Sequence, residues 1–502
     1  AERFRRLAVC LPDETLPQPA DLNHSPLAGK WRQQTACLQF SAVNLLTDLL
    51  PDAELWLLPP AVSWRDYFSD GLAVWQTEIP PAPAPKAVKP WFAPPVLQGK
   101  TQHVAVIGAG ISGAATAYAL ARRGVRVTVL ETGKAANAAS GNRQGLLYAK
   151  ISPHPTEQTE LLLGGYGYTR RLLETLLPDS DAWQPCGVFH LNHNAAEAKR
   201  NAKLAGQSIH KHLYRAADAR DIARISGLRP SENQDGTFSD GLYWPQGVWL
   251  HPPALVRALL AHPLIELREH CPLTAAEWQD AHWQITTPQG CFTADHLVYC
   301  TGADNPEQPP LAALPWQLIR GQTSLAEASG LSAALSAAWS GASYISPAWQ
   351  GIHCFGATFT PHDNGRDWRE ADELHNRREL AELAPELAAS LAFGKQQGHA
   401  AVRCDCPDHL PAVGPLGDAA AMMQTYAKLS SDKNYRIDTP CPYQPNVWVN
   451  SAHGSRGLAT APWCAEALAA MICREPNPLS PRLREALHPN RHIIRALVRQ
   501  GK

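Results

Sequence analysis

Residues His103 to Glu131 read HVAVIGAGISGAATAYALARRGVRVTVLE. The run opens with an apolar strand pattern over His103 to Ile107 and continues with a helical one over Ser112 to Arg123. A second strand pattern, Val125 to Leu130, closes it. Gly108, Gly110 and Gly113 form G-x-G-x-x-G where the first strand meets the helix. Gly108 permits the tight turn, Gly110 lets a pyrophosphate approach the backbone, and Gly113 lets helix and strand pack closely. The helix start offers free N–H groups and the positive end of its dipole to a diphosphate. Glu131 ends the second strand about 20 residues further on, where a carboxylate accepts from both ribose hydroxyls. That acid would repel a 2′-phosphate, which disfavours NADP and leaves NAD and FAD open. Strand, turn, helix, strand and acid in one stretch predict a parallel βαβ nucleotide-binding unit.

Working outward, helix patterns recur at Thr159–Leu177, Ala254–Ala261, Leu374–Leu391 and Ala461–Cys473. Strand patterns fall at Gly187–Leu191, His282–Thr287, Leu297–Cys300, Tyr344–Pro347 and Val447–Asn450. A parallel unit followed by strand-rich sections predicts an α/β protein, in which a Rossmann-like domain is interleaved with a mainly antiparallel β domain. Upstream, Pro80, Pro81, Pro83, Pro85, Pro90, Pro94 and Pro95 read as a semi-rigid linker, because proline fixes φ and removes the backbone donor. Ahead of it lies a small N-terminal segment with one helical stretch (Ala42 to Leu50), one short strand (Glu54 to Leu58) and no catalytic cluster.

Composition bounds the function. The chain has 502 residues, 45% of them hydrophobic, enough for a sizeable core. Lys plus Arg number 45 against 46 Asp plus Glu, so a uniformly basic nucleic-acid-coating protein is excluded, though a local basic patch is not. No apolar run approaches the roughly 20 residues that span a bilayer, and no signal peptide is evident. Twelve cysteines in so long a chain are expected as reduced thiols in a cytoplasmic protein.

Three further strings carry a resemblance. Ser140-Gly141-Asn142-Arg143-Gln144-Gly145 follows the acid, Leu297 to Ala303 reads as a buried strand ending in Thr301-Gly302, and Arg320-Gly321-Gln322 reads as an interdomain turn. With the fingerprint, they resemble the D-amino-acid-oxidase-like flavoprotein family. Val402-Arg403-Cys404, Asp408-His409-Leu410-Pro411, Gly454-Ser455-Arg456-Gly457-Leu458, Pro90-Trp91-Phe92 and His488-Pro489-Asn490-Arg491 narrow the likeness. Together they look like the oxidoreductase half of the MnmC family of bifunctional tRNA-modifying proteins, over about residues 90–502.

The resemblance implies FAD as cofactor. It implies oxidative removal of the carboxymethyl group from 5-carboxymethylaminomethyl(2-thio)uridine at the tRNA wobble position, giving 5-aminomethyl(2-thio)uridine and glyoxylate, with molecular oxygen as electron acceptor. It further implies Arg403 as the fork that holds a substrate carboxylate and Tyr344 as a pocket-closing residue. Gly108, Gly110, Gly113, Glu131, Ser140, Asn142, Arg143, Gln144, Gly145, Thr301 and Gly302 are the cofactor contacts, joined by Gly454, Ser455, Arg456, Gly457 and Leu458. The expected division assigns 90–190, 246–318 and 401–475 to the FAD-binding domain and 191–245 and 319–400 to the substrate domain. Residues 1–89 are a small module or methyltransferase-domain remnant, and 476–502 a basic C-terminal tail. Residues 1–89 lack a Gly-rich methionine-cofactor loop, so methyl transfer is expected to be absent. A small-molecule oxidase acting on glycine, sarcosine or a D-amino acid is the alternative.

The partner of such an enzyme is the tRNA anticodon region. Its phosphates must meet cations, and Arg482, Arg484, Arg491, Arg495, Arg499 and Lys502 face only Glu485 in the tail. Arg170 and Arg171, and Lys199, Arg200 and Lys203, form smaller clusters. No metal site is expected: Cys404-x-Cys406 lacks a second ligand pair, and His210 and His212 stand in a polar stretch. The 16 Trp residues and the stripe Leu380, Leu383, Leu387, Leu391 read as core.

Overall fold

The computed structural model describes residues 89–97, 101–207, 210, 213–229, 240–394, 396–475 and 477–500. The expected helix Ala42–Leu50, the strand Glu54–Leu58, the prolines Pro80 to Pro85, His212 and Lys502 lie outside the described residues.

The quoted stretch folds as its pattern predicts. β1 (His103–Ile107) is buried at every position, α1 (Ile111–Ala121) follows the glycine turn, and β2 (Arg126–Leu130) returns beside β1. The two strands pair in parallel, with His103 opposite Arg126 and Ile107 opposite Leu130. They belong to a six-stranded sheet in the order Ala412–Gly417, Tyr443–Ser451, His296–Tyr299, β1, β2, Ile265–Arg268. Every neighbour is parallel except the Ala412–Gly417 edge. Parallel strands share their carboxyl ends, and such sheets bind ligands in the crevice outside those ends.

Helices cover the sheet. α1 packs on Gly457–Ile472, which also packs on α2 (Glu157–Leu176). Gly457–Ile472 contains Pro462, which has no N–H to give the Leu458 carbonyl one turn back. The Thr169 hydroxyl of α2 donates to that carbonyl at 2.8 Å instead, so the helix continues through the proline.

The second layer is a nine-stranded sheet. Its pairs are antiparallel apart from Ala338–Ser340 beside Val188–Leu191, which bears out the expected mainly antiparallel β domain. Its longest strand, Gln317–Glu327, holds Arg320, Gly321 and Gln322. The expected interdomain turn is therefore corrected: these residues lie inside a strand. Arg320 is fully buried there and pairs with Asp372 at 2.7 Å. α3 (Ala195–Ala205) flanks this domain; its cap is the Asn194 side chain, which accepts from the Glu197 N–H.

Two other expectations change. The helix foreseen over Leu374–Leu391 is two, Glu370–Leu383 and Pro385–Ala389, because Pro385 cannot continue the first and suits the start of the second. Leu380, Leu387 and Leu391 are nonetheless core. The basic C-terminal segment is not a free tail but two helices, Pro481–Leu487 and Asn490–Gln500. Leu483, Leu487, Ile493, Ile494 and Leu497 are buried. Arg491, itself buried, grips Asp408 through two nitrogens at 2.9 and 3.0 Å, Arg495 joins the same carboxylate, and Arg482 pairs with Glu157 at 2.7 Å. Much of the segment's charge is thus engaged in holding the fold together.

Candidate functional site

At the carboxyl end of β1, Gly108 adopts φ +101°. A Cβ on Gly113 would collide with the Gly108 carbonyl, so only glycine lets α1 approach the strand end this closely. Both oxygens of Glu131 face this turn: Oε2 accepts from the Ala109 N–H at 2.8 Å and Oε1 from the Gly133 N–H at 2.9 Å. Fixed in that way, the carboxylate keeps lone pairs for two vicinal hydroxyls. The Ser140 hydroxyl accepts from the Ile111 N–H at 3.0 Å, at the head of α1 just past Gly110.

Gly145 begins a strand, Gly145–Leu147, and a Cβ there would press within 2.7 Å of the Leu458 side chain. Asn142 is half-buried just before Arg143 and Gln144. Arg143 donates to the Trp349 carbonyl at 2.7 Å and lies 4.7 Å over that indole ring. Gln144 is fully buried and donates to the Pro347 carbonyl at 3.0 Å, while its Oε1 is buried with no hydrogen-bond partner. On the neighbouring strand end, Thr301 donates to Asn305 Oδ1 at 2.7 Å and the Gly302 N–H to the Ser451 hydroxyl at 3.2 Å.

The second sheet brings Arg403 to this crevice. Its strand, Ala400–Asp405, pairs with Gln317–Glu327, so that Arg403 stands opposite Ile319. The guanidinium crosses Gly321, where any Cβ would overlap it. It donates to the Ser455 hydroxyl at 3.0 Å and to the Thr358 carbonyl at 3.3 Å, with the Phe359 ring 5.9 Å away. Burial lowers its pKa, countered by Tyr344. The Tyr344 hydroxyl donates to the Gln144 carbonyl at 3.2 Å, and burial raises its pKa well above the usual value. Ser455 sits in the turn Gly454–Arg456, which leads directly into Gly457–Ile472. A Cβ on Gly457 would reach 3.6 Å from Ile111, so this turn meets the head of α1. Arg456 carries a buried Nη1 with no hydrogen-bond partner.

Two sites expected from sequence are thus adjacent: the glycine turn with Glu131 and Ser140, and the Arg403–Ser455 pair joined to it through Gly454–Leu458. Arg143, Gln144 and Tyr344 form one contact between the segment leading into Gly145–Leu147 and the second sheet. Thr358, Phe359 and a polar group around Lys150, His190, Glu197 and Arg200 escaped sequence reasoning, apart from Arg200 as a basic residue, because they belong to no local motif.

FAD fits this donor set. The glycine cradle leaves backbone room for a diphosphate, Glu131 suits a ribose, and the orphaned Gln144 Oε1 and Arg456 Nη1 suit a polar ring edge.

One further cluster, Cys406, Asp408 and His492, brings three potential metal ligands within 4.8 Å. Arg491 and Arg495 already occupy the Asp408 carboxylate, and two guanidinium charges there oppose a cation. The ten described cysteines are free thiols, and no helix among the described residues is long and apolar enough to cross a membrane.

Comparison with known proteins agrees with this geometry. The family model "FAD dependent oxidoreductase" (DAO) matches residues 103–471. The chain is 41% identical over 418 residues to a Chromobacterium violaceum protein named tRNA 5-methylaminomethyl-2-thiouridine biosynthesis bifunctional protein MnmC. The match takes in 82% of this chain and 62% of that relative, so the chain spans less than two thirds of its length. Among solved structures, L-proline dehydrogenase from P. horikoshii superposes with a TM-score of 0.61 at 15% identity, covering 78% of this chain and 98% of that one. Glycine oxidase from Bacillus cereus gives 0.59 at 17%, covering 74% and 98%. These two likenesses concern the fold.

Proposed function

This chain belongs to the DAO family of FAD dependent oxidoreductases, and from that premise we propose that it oxidises an N-carboxymethyl group on a tRNA wobble uridine. The substrate is 5-carboxymethylaminomethyl(2-thio)uridine, and the products are 5-aminomethyl(2-thio)uridine and glyoxylate. Two electrons and a proton leave the N–CH2 carbon, water adds across the resulting C=N bond, and the C–N bond breaks; oxygen is the terminal acceptor. When bound, FAD supplies the two-electron acceptor.

The protein's part is binding and orientation. Arg403 holds the glycine-like carboxylate; Ser455 and the Thr358 carbonyl fix the guanidinium plane, so little freedom is lost on binding. Tyr344, tied to the Gln144 carbonyl, locks the wall of the pocket rather than donating to substrate. The backbone N–H groups of Gly454 to Leu458, at the head of a helix, would favour negative charge on a bound flavin ring. Glu131 and the turn Gly108 to Gly113 hold the nucleotide part. No strong general base is required when the amine is already neutral.

The observation that carries this reading is Arg403, aimed across Gly321 beside the turn that meets the glycine cradle. The relative's name supports tRNA over free amino acids. Residues 1–89 contain only Gly29 and Gly71 and no Gly-rich loop, so we assign the oxidative step alone to residues 1–502. A cytoplasmic location follows from the substrate. Nucleoside mass spectrometry of tRNA incubated with the purified protein tests the proposal. The carboxymethylaminomethyl nucleoside should fall as the aminomethyl nucleoside and glyoxylate rise. Turnover of free glycine or sarcosine with unchanged tRNA nucleosides would overturn it.

A further inference from the structure

Beyond Arg456 the crevice opens onto charged groups that the proposed chemistry does not use. Lys150, a few residues past the strand Gly145–Leu147, reaches Glu197 Oε1 at 3.2 Å. Arg200, one turn along α3, pairs with Glu197 Oε2, and His190 Nε2 lies 2.8 Å from the same oxygen and 2.7 Å from Arg200 Nη2. The Tyr148 hydroxyl joins His190 Nδ1 at 3.1 Å and the Ser340 hydroxyl at 2.9 Å. Lys150 and Arg200 thus share one acid, Glu197, with Arg456 near enough to repel both; the acid that attracts Arg456, Asp405, is shared with His409.

The excess positive charge is visible electrostatically. Burial lowers the pKa of Lys150, Glu197 opposes this, and Arg200 and Arg456 push it down further. Arg456 is likewise lowered by burial first, with Arg200 adding to it. A donor is also left over, since Arg200 Nε is buried without a partner. The group is nevertheless reachable: the Lys150 side chain is 32% exposed and that of Arg200 22%. From it, Lys199 and Lys203 continue along α3 into solvent, Lys203 beside His154.

An unfilled donor, mutually repelling cations and a route to the surface describe an anion subsite. The diphosphate of the cofactor has its own place at the glycine turn, and the substrate carboxylate has Arg403. We propose that Lys150 and Arg200, continued by Lys199 and Lys203, bind the RNA phosphates flanking the reacting nucleotide. This rests on the proposed function and deepens it. Free glycine or sarcosine carries no second anion, so the cluster is the element that selects a polynucleotide over an amino acid. The phosphate platform accordingly lies on α3 and the segment after Gly145–Leu147, not on the C-terminal helices.

The test is binding of an anticodon stem-loop RNA to the flavin-loaded protein, followed by fluorescence anisotropy across a salt series. The double variant Lys150→Met with Arg200→Met should bind about tenfold more weakly, and its salt slope should fall by about 1 for each phosphate left without its cation. Lys150→Arg should bind like the wild type. If the double variant loses its flavin absorbance, Lys199→Gln with Lys203→Gln, both exposed, takes its place and should also flatten the salt slope. Unchanged affinity and slope in a flavin-loaded variant would overturn the proposal. Because the readout is binding, protein that held RNA through this cluster yet left its nucleosides unchanged would defeat the functional reading and keep this one.

Discussion

Arg403 is positioned by three neighbours with distinct jobs: Gly321 gives it space, and Ser455 and the Thr358 carbonyl give it direction. Arg403→Ala should lower kcat/KM ten- to hundredfold, roughly the worth of a charge-assisted fork, and leave flavin absorbance in place. Arg403→Lys should recover only part, since an ammonium keeps the charge and loses the fork. Steady-state kinetics beside an absorbance spectrum separate these outcomes; parallel loss of flavin and activity would make Arg403 structural. Gly113→Ala is different in kind. Its Cβ would strike the Gly108 carbonyl, a backbone atom that cannot rotate away, so the expected product is protein without flavin absorbance. These two residues also mark the limits of reading from sequence. Gly113 is legible because the constraint on it arises five residues away. Lys150, Glu197 and Arg200 are not, because their meeting is made by a long-range packing of separate elements, and a lone lysine or glutamate in a chain of 502 residues has no periodicity to announce it.

At the scale of elements, local punctuation is legible and long-range pairing is not. β1, α1 and β2 fall within two residues of the expected bounds, since apolar run, glycine turn and acid all act locally. The strand Gln317–Glu327 escapes sequence reading because fully buried strands lose the alternating pattern and here even hold an arginine, Arg320, neutralised by Asp372 from the helix Glu370–Leu383. The C-terminal helices mislead for the opposite reason: the number of basic residues says nothing about which are already paired. Arg491 is 3% exposed and satisfies Asp408, whereas Arg495 on the same carboxylate is 48% exposed. Arg491→Ala should therefore cost about 3 kcal/mol of stability, by taking the buried fork from Asp408 and the donors from the Leu410 and Leu487 carbonyls and leaving the carboxylate only the exposed Arg495. Arg495→Ala should cost less than about 1 kcal/mol. Urea unfolding read by tryptophan fluorescence checks both. Equal, small losses would restore the view of this segment as a surface platform.

For the molecule as a whole, the six-stranded sheet and the C-terminal helices beside it depend on histidines kept neutral. Burial lowers His296 to about 4, and its Nδ1 accepts from the Trp448 indole N–H at 3.1 Å. Burial, helped by Arg491, lowers His488 to about 3, and its Nδ1 accepts from the Asn490 N–H at 3.2 Å. His453 lies at about 3 through burial alone, next to the turn that carries Ser455 and Arg456. In each case a second proton would be buried, and in the first two it would set donor against donor. The sign follows from which state binds protons. Between the unfolded value near 6.5 and the folded values of 3 to 4, the unfolded chain is the more protonated, so stability falls as pH falls. Glu197 acts lower: burial would raise it, but His190, Lys150 and Arg200 hold it at about 2, so its contribution fades only between about 4.5 and 2. Acid loss should therefore begin with the histidines. At pH 5.5 each of the three should have cost about 1 kcal/mol relative to pH 7.5. The urea midpoint should shift downward over that interval. His190, at about 4, and His492, at about 3, add to the same shift, so replacing His488 by Gln, which keeps a side-chain acceptor for Asn490 and cannot charge, should remove about 1 kcal/mol of it. A midpoint flat from pH 7.5 to 5.5 in the parent protein would mean that these rings take up protons as readily in the folded chain as in the unfolded one. The acceptor roles of His296 toward Trp448 and of His488 toward Asn490 would then not depend on a proton-poor ring.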